Sequence, residues 1–313
     1  MLEKFSDSKL SEDTKLAISV CNQIINEYRE QKLVLSLRQL YYQHVSHNLF
    51  PADRLWRWDY AKKKWLKDPN VTPNAEPNYD WLGTIVTAGR MAGLIDWDII
   101  EDRGRKPLIT KTWESAKHAV KDCSEWFHLD RWADQSNYVW VMVEKAALEG
   151  ILIPICQKWQ VPFQSQRGYG SASSMYSAGK RMQEHYAIKS KQVHVLYLGD
   201  LDPSGTDMTR DVEERLRLFS QSPIFVHRIA LNPDQVRQYS PPPNPAKKTD
   251  SRYNRFVEEH GEESYELDAL APDVISTMIE NSIKAFLDME KWNKIVNWEH
   301  SLRERIVEMA ETV

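Results

Sequence analysis

The stretch Val193 to Arg210, VHVLYLGDLDPSGTDMTR, carries Asp200, Asp202 and Asp207 directly behind an apolar run rich in β-formers. VHVLYL, bounded by Gly199, predicts an interior strand of an α/β sheet, with Pro203 and Gly205 marking a turn after it. The acids then stand at the carboxyl end of that strand, where open α/β sheets form their ligand crevices. Two carboxylates spaced as Asp200 and Asp202 are repel one another unless something neutralises them, and a hard divalent cation would do so. The same letters also suit a solvated turn, with Asp207 either extending the acidic group or capping the helix that follows.

Glu144 has a matching address at the end of YVWVMVE. In a parallel sheet both strand ends open on the same side, so this glutamate and the DxD of Asp200 and Asp202 can converge on one or two hard cations that keep water ligands. Lys145, next to it, is placed to contact a phosphate, or else to begin a helix with its ammonium in solvent.

From about Ser136 the chain alternates between strand and helix. YVWVMVE, VPFQSQ, VHVLYLGD and IFVHRIAL read as strands, and KAALEGILIPICQKW, SSMYSAGKRMQEHY and DMTRDVEERLRLF as helices. Such alternation predicts a mostly parallel, Rossmann-like sheet with crossover helices, that is, an α/β fold. The triple proline Pro241 to Pro243 ends this run, and a helical tail from Asp273 is expected to pack back on it. The first part reads as helical. SEDTKLAISVCNQIINEYREQ has Ser11 as its cap and an apolar face of Leu16, Ile18, Val20, Ile24 and Ile25. Ser36 with Gln39 has the form of a capping box, starting a helix at Leu37. YDWLGTIVTAGRMAGLI gives a further helix stopped at Gly93. Helices joined in this way suit a winged-helix-like DNA-binding module. The expected division is residues 1–125 for that module and 126–313 for the sheet domain with its helical extension.

Within LRQLYYQ, helical geometry puts Leu37, Leu40, Tyr41 and Val45 on one apolar stripe, with Leu49 less central. Tyr41 falls in the middle of that stripe. Tyr42 stands about 100° away, with Arg38 one turn back offering a guanidinium suited to a phosphate or a developing phenolate.

Composition sets the outer limits. At 313 residues with 42% hydrophobic character the chain is long enough for two domains, and its formal charge of −4 means that a nucleic-acid partner has to be met by local patches. Those patches exist: YAKKKWLK at Tyr60 to Lys67, EDRGRKP at Glu101 to Pro107 with Arg103 and Arg105, and NPAKKTDSRYNR at Asn244 to Arg255. Trp56, Trp58 and Trp65 interleave with the first of them, favouring a contact surface. Arg90, near the end of its helix, is a candidate contact to DNA, with a salt bridge to Asp96 or Asp98 as the alternative. Cys21, Cys123 and Cys156 lack any metal-ligand or disulfide spacing, so free thiols are expected. No apolar run reaches membrane-spanning length, and the amino terminus is polar and charged; a cytoplasmic protein without a signal peptide is expected, nucleoid-associated if its source is bacterial.

VEKAALEGIL at Val143 to Leu152 and GDLDPSG at Gly199 to Gly205 resemble the two acidic motifs of Toprim domains. The VEK form is similar to the A subunit of topoisomerase VI and its meiotic break-forming relative, and RGYGS at Arg167 to Ser171 falls where that family has a glycine-containing loop. LRQLYYQ resembles the family's nucleophile helix, with Tyr42 in the nucleophile's place. The resemblance implies a Toprim domain behind a winged helix, Mg2+ or Mn2+ held by Glu144, Asp200 and Asp202, and DNA cleavage by tyrosine transesterification. It also implies a homodimer in which the tyrosine of one subunit meets the metal of another, and a separate ATPase partner, since this chain has no Gly-rich nucleotide loop. The alternatives are a Toprim nuclease that activates water with the same metal, and a non-catalytic DNA-binding subunit of a larger assembly. The segment SYELDALAP and the carboxyl-terminal helices are left unexplained by the resemblance.

Overall fold

The computed structural model describes residues 2–31, 33–100 and 110–311. Arg103 and Arg105 lie outside the described residues. Local signals in the first part do what their chemistry requires. Ser11 accepts the Thr14 N–H and starts α1 (Glu12–Glu30), and Ser36 with Gln39 closes a full capping box at the head of α2 (Leu37–Ser46). The strands β1 (Trp56–Asp59) and β2 (Lys64–Lys67) form an antiparallel hairpin, and α3 (Glu76–Met91) follows, ending before Gly93 at φ 72°. The basic run Tyr60 to Lys67 is therefore the tip and second strand of a hairpin. Its tryptophans Trp58 and Trp65 pair across the strands, with ring centroids 5.4 Å apart. This hairpin stands between α2 and α3 and is not among the elements expected from the sequence.

One core joins α1, α2 and α3 through Ile18, Ile24, Ile25, Leu40, Val45, Leu82 and Val86. Leu16, expected on the buried face of α1, is exposed. It lies two residues from Ile18, about 200° around the helix, and so points away from the neighbours that Ile18 meets.

Helix α4 (Ala116–Trp126) precedes a parallel sheet built from β3 (Asn137–Val143), α5 (Glu149–Lys158), β4 (Phe163–Ser165), α6 (Ala172–Gln183), β5 (Gln192–Leu198), α7 (Pro203–Ser220) and β6 (Ile224–Ala230). The strand order is β4-β3-β5-β6, every pairing parallel. Alternate residues of β3 and β5 feed opposite layers. Val139, Val141, Val143, Leu196 and Leu198 pack with α5, and Tyr138, Trp140, Met142, Val193, Val195 and Tyr197 pack with α6 and α7. Burial on both faces is why these strands read as unbroken apolar runs.

The chain returns through α8 (Pro233–Tyr239), β7 (Pro243–Pro245), α9 (Tyr253–His260) and β8 (Glu263–Tyr265), with β7 and β8 antiparallel. A 3-10 turn, Leu267–Ala269, leads into α10 (Pro272–Lys284) and α11 (Met289–Ala310). Ile275, Ile279 and Ile283 of α10 and Trp292 of α11 join the core on the α5 side of the sheet, so the tail packs back as expected. Helix α4 packs on α11. The expected boundary after residue 125 thus falls at the end of a helix whose main partner is the last helix of the chain. Among the described residues, no helix is long and apolar enough to cross a membrane.

Candidate metal centre

Three pieces of backbone build the site. The end of β3 supplies Glu144 and Lys145, the end of β5 supplies Asp200, and the strand β8 returns beside it. Leu201 and Tyr265 exchange both backbone hydrogen bonds at 2.9 Å, which sets Glu266, Leu267 and Asp268 against Asp200. The Leu267 N–H then donates to Asp200 Oδ1 at 2.8 Å, and the Asp200 N–H donates to Glu144 Oε2 at 3.0 Å. Asp200, Glu266 and Asp268 each place a carboxylate oxygen within 4.8 Å of the others.

The turn after Asp200 is held tightly. Arg228 of β6 donates to the carbonyls of Gly199, Asp200 and Gly205, at 3.1, 2.5 and 3.0 Å. A Cβ at Gly205 would sit 2.3 Å from the Asp200 carbonyl oxygen, closer than any side chain tolerates, so this close approach requires glycine. Asp202 is the N-cap of α7, accepting the Gly205 N–H at 2.5 Å and the Ser204 hydroxyl at 2.9 Å. The capping role considered for Asp207 therefore belongs to Asp202. Asp207 sits a turn further along α7, accepting hydrogen bonds from Tyr169 at 2.6 Å, Arg210 at 2.9 Å and Arg252 at 3.0 Å. Burial opposes its ionised form, but those three donors hold its carboxyl below the usual range. It is not a member of the converging group.

Cations already meet the acids. Lys145 pairs with Asp200 at 2.5 Å, with Asp268 at 3.4 Å and with Glu266. The side chain is 15% exposed, so the expectation of an ammonium in solvent is overturned. Burial works against its charge, and Asp268 and Asp200 override this and raise its pKa. Arg38 reaches in from α2, donating to Asp268 at 2.8 Å and to Glu266 at 3.3 Å. Four carboxylates, Glu144, Asp200, Glu266 and Asp268, thus stand with Lys145 and Arg38, and the charge of Arg228 also acts on Glu144 and Asp200. Burial first and the Asp200 charge second push Glu144 up to about 7, and burial chiefly raises Asp200. An all-carboxylate donor set fits a hard divalent cation such as Mg2+ or Mn2+. Asp200, Glu266 and Asp268 would hold it, with Glu144 beside them.

The two tyrosines of α2 differ from expectation. Gln39 through Val45 are all buried, because the Leu267–Ala269 turn covers the face of α2 that an isolated helix would leave in water. Tyr42 is 6% exposed, its hydroxyl 3.5 Å from Arg38 Nη2. Burial, reinforced by Asp268 and opposed by Arg38, raises its pKa. Tyr41 is buried in the core as expected, but its hydroxyl is fully engaged. It accepts the Ala75 N–H at 2.7 Å and donates to Asn74 at 2.8 Å. Burial pushes the Tyr41 hydroxyl up to about 12.

Arg90 donates to the carbonyls of Trp97, at 2.7 Å, and Ile100, and its guanidinium lies over the Trp97 ring. Its position is set by these carbonyls, with Asp96 and Asp98 acting on it only through their charge. Glu266 and Asp268 are the site residues that sequence reasoning missed. The only trace of them is the ELD spacing within SYELDALAP, which repeats the acid-x-acid form of Asp200 and Asp202.

No family model matches this chain, and no curated protein matches it either.

Proposed function

We propose that the protein is a divalent-metal-dependent DNA-cleaving enzyme of the winged-helix plus Toprim type, with Tyr42 as the nucleophile. The observation that carries this reading is Arg38. One guanidinium bonds Asp268 and Glu266 of the acidic group and reaches the Tyr42 hydroxyl, so phenol and carboxylates stand side by side within one chain. A bound hard cation would supply charge neutralisation at a scissile phosphate. Arg38 would orient the phosphate and stabilise the phenolate, and the phenolate oxygen would attack phosphorus. The new Tyr42 O–P bond replaces the bond to the leaving strand; the phenol gives up its proton to water and the leaving oxygen takes one up from water, so the exchange is balanced. Lys145, already set among the carboxylates, is placed to meet a non-bridging phosphate oxygen.

The parallel sheet with Glu144 and Asp200 at adjacent strand ends supports the Toprim part of this reading. The helices α1 to α3 with the hairpin support a DNA-docking role for the first module. A homodimer and a separate ATPase partner enter through the resemblance alone, since the bridge through Arg38 joins tyrosine and acids without a second subunit. A second reading is favoured by the burial of Tyr42: a nuclease in which the metal centre activates water and the tyrosine serves only packing.

Incubation with end-labelled DNA and Mn2+, followed by denaturation, separates these. Label retained on the wild-type protein and lost in Tyr42→Phe is the expected result. Free cleaved ends without adduct, at equal rate in Tyr42→Phe, would leave the water-using nuclease. Absence of cleavage of every DNA tested would refute the enzyme for the isolated chain.

A further inference from the structure

Beside the acidic group lies a cleft of about 630 Å3, walled by the head of α2, one face of α3 and the first turn of α5. Its rim carries Arg38, Arg90 and Arg167, and its floor is apolar, with Val86 and Gly83 of α3. Arg167 is 70% exposed along its side chain and stands 3.9 Å from Glu149, the one acid on the rim among the described residues. Arg90 is held at the rim by the Trp97 and Ile100 carbonyls, with its Nε buried, so it contributes charge to the cleft and Arg167 offers the open guanidinium. Tyr79 enters the wall with 36% of its surface open, its ring pinned edge-to-face by Tyr41 at 5.5 Å.

An apolar floor, a fixed aromatic ring and a rim of guanidinium groups are the parts of a single-strand nucleic-acid site, in which a base stacks and the backbone follows the cations. The cleft volume falls in the range of about 300–1,000 Å3 typical of small-ligand sites, which suits one or two nucleotides. It does not suit a duplex, whose bases are paired and stacked on one another and so offer no free face to the ring. Arg38 belongs both to this rim and to the acidic group, so a strand lying in the cleft leads into the proposed cleavage site.

Resting on the reading of the acidic group as a DNA-cleaving centre, we infer that the cleft holds unpaired nucleotides of the substrate, so that the protein selects single-stranded ends or junctions over intact duplex. Gly83 offers a direct test. A Cβ there meets only Leu37 Cδ2 at 3.4 Å, an ordinary contact, so Gly83→Ala is accommodated, whereas Gly83→Trp projects into the cleft and fills it.

Binding is measured by fluorescence anisotropy in EDTA, so that cleavage plays no part, with a labelled oligothymidylate of about ten nucleotides and with a blunt duplex. Gly83→Trp is expected to weaken single-strand binding at least about tenfold, the worth of one lost stack, and Gly83→Ala to leave it unchanged. Arg167→Ala, which removes a side chain that is 70% exposed, is expected to lower the salt dependence of single-strand binding by about one ion. Neither change should move duplex binding. Failure of the wild type to bind the single strand, unchanged binding in Gly83→Trp, or equal losses for duplex and single strand would overturn the inference. The adduct experiment is independent: cleavage with an undisturbed Gly83→Trp leaves the enzyme standing without this cleft, and single-strand binding without cleavage leaves the cleft without the enzyme.

Discussion

Two groups of acids and bases stand at the carboxyl ends of the strands, and they share almost the same chemistry. In one, Asp200, Glu266 and Asp268 meet Lys145 and Arg38; in the other, Asp207 and Asp250 meet Arg252, with Tyr169 between. They differ in burial. Asp200 and Asp268 are 4% and 1% exposed, while the Arg252 side chain is 34% exposed. In this second, half-buried group water still reaches each charge, and the pairs do little beyond fixing side-chain positions. In the buried group each charge depends on its partners, because desolvation penalises whatever is left uncompensated. The raised Glu144, pushed up by burial first and by the Asp200 charge second, is the mark of that penalty.

The largest expected effect comes from removing the buried cation. Lys145→Met should cost about 3–5 kcal/mol, since it removes the ammonium that pairs with both Asp200 and Asp268, measured by urea denaturation in EDTA. A loss below about 1 kcal/mol would place the two groups in one class. If a hard divalent ion binds these carboxylates, Mn2+ should raise the midpoint of Lys145→Met more than that of the wild type.

Next in size is Glu144→Gln, and its sign depends on pH. The Glu144 pKa rises from 4.5 to about 7 on folding, so its contribution is fully present below pH 4.5 and is lost as pH rises through 7. In EDTA, Glu144→Gln should therefore match the wild type at pH 4 and exceed it by about 2–3 kcal/mol at pH 8. Thermal melts at the two pH values check this, and a variant less stable than wild type at pH 8 would mean that the carboxylate is well compensated.

Smaller again is the difference between the tyrosines. Tyr41→Phe orphans the buried Ala75 N–H and should cost about 1–3 kcal/mol. Tyr42→Phe loses one contact of 3.5 Å and should cost less, which keeps it a clean probe of chemistry. Chemical denaturation of the pair orders them. The smallest effect belongs to the second group: Arg252→Met should change stability by no more than about 1 kcal/mol, and a loss as large as that of Lys145→Met would remove the contrast between the two groups.

Local signals were legible in the sequence because local physics sets them. Ser36 and Gln39 announce the start of α2, since the backbone N–H groups of a first turn need nearby acceptors wherever the helix ends up. The unbroken apolar runs of β3 and β5 announce strands covered on both faces, and place Glu144 and Asp200 on the same side of a parallel sheet; that the two strands are neighbours came from the structure. The strand-end position also made Asp202 and Asp207 look like members of one group, although capping claims the first and surface arginines the second.

By itself, then, the sequence determined the first three helices, the strands and crossover helices of the parallel sheet, and the address of two of the acids. Only the tertiary structure decided which other side chains meet them. Glu266 and Asp268 arrive through the pairing of Tyr265 with Leu201, and that same turn closes over α2, burying Tyr42 and handing Asp268 to Arg38. The physical reason is range: periodicity and capping are energies between residues a few positions apart, whereas the docking of a returning strand is fixed by the shape and desolvation of surfaces that exist only once the sheet has formed.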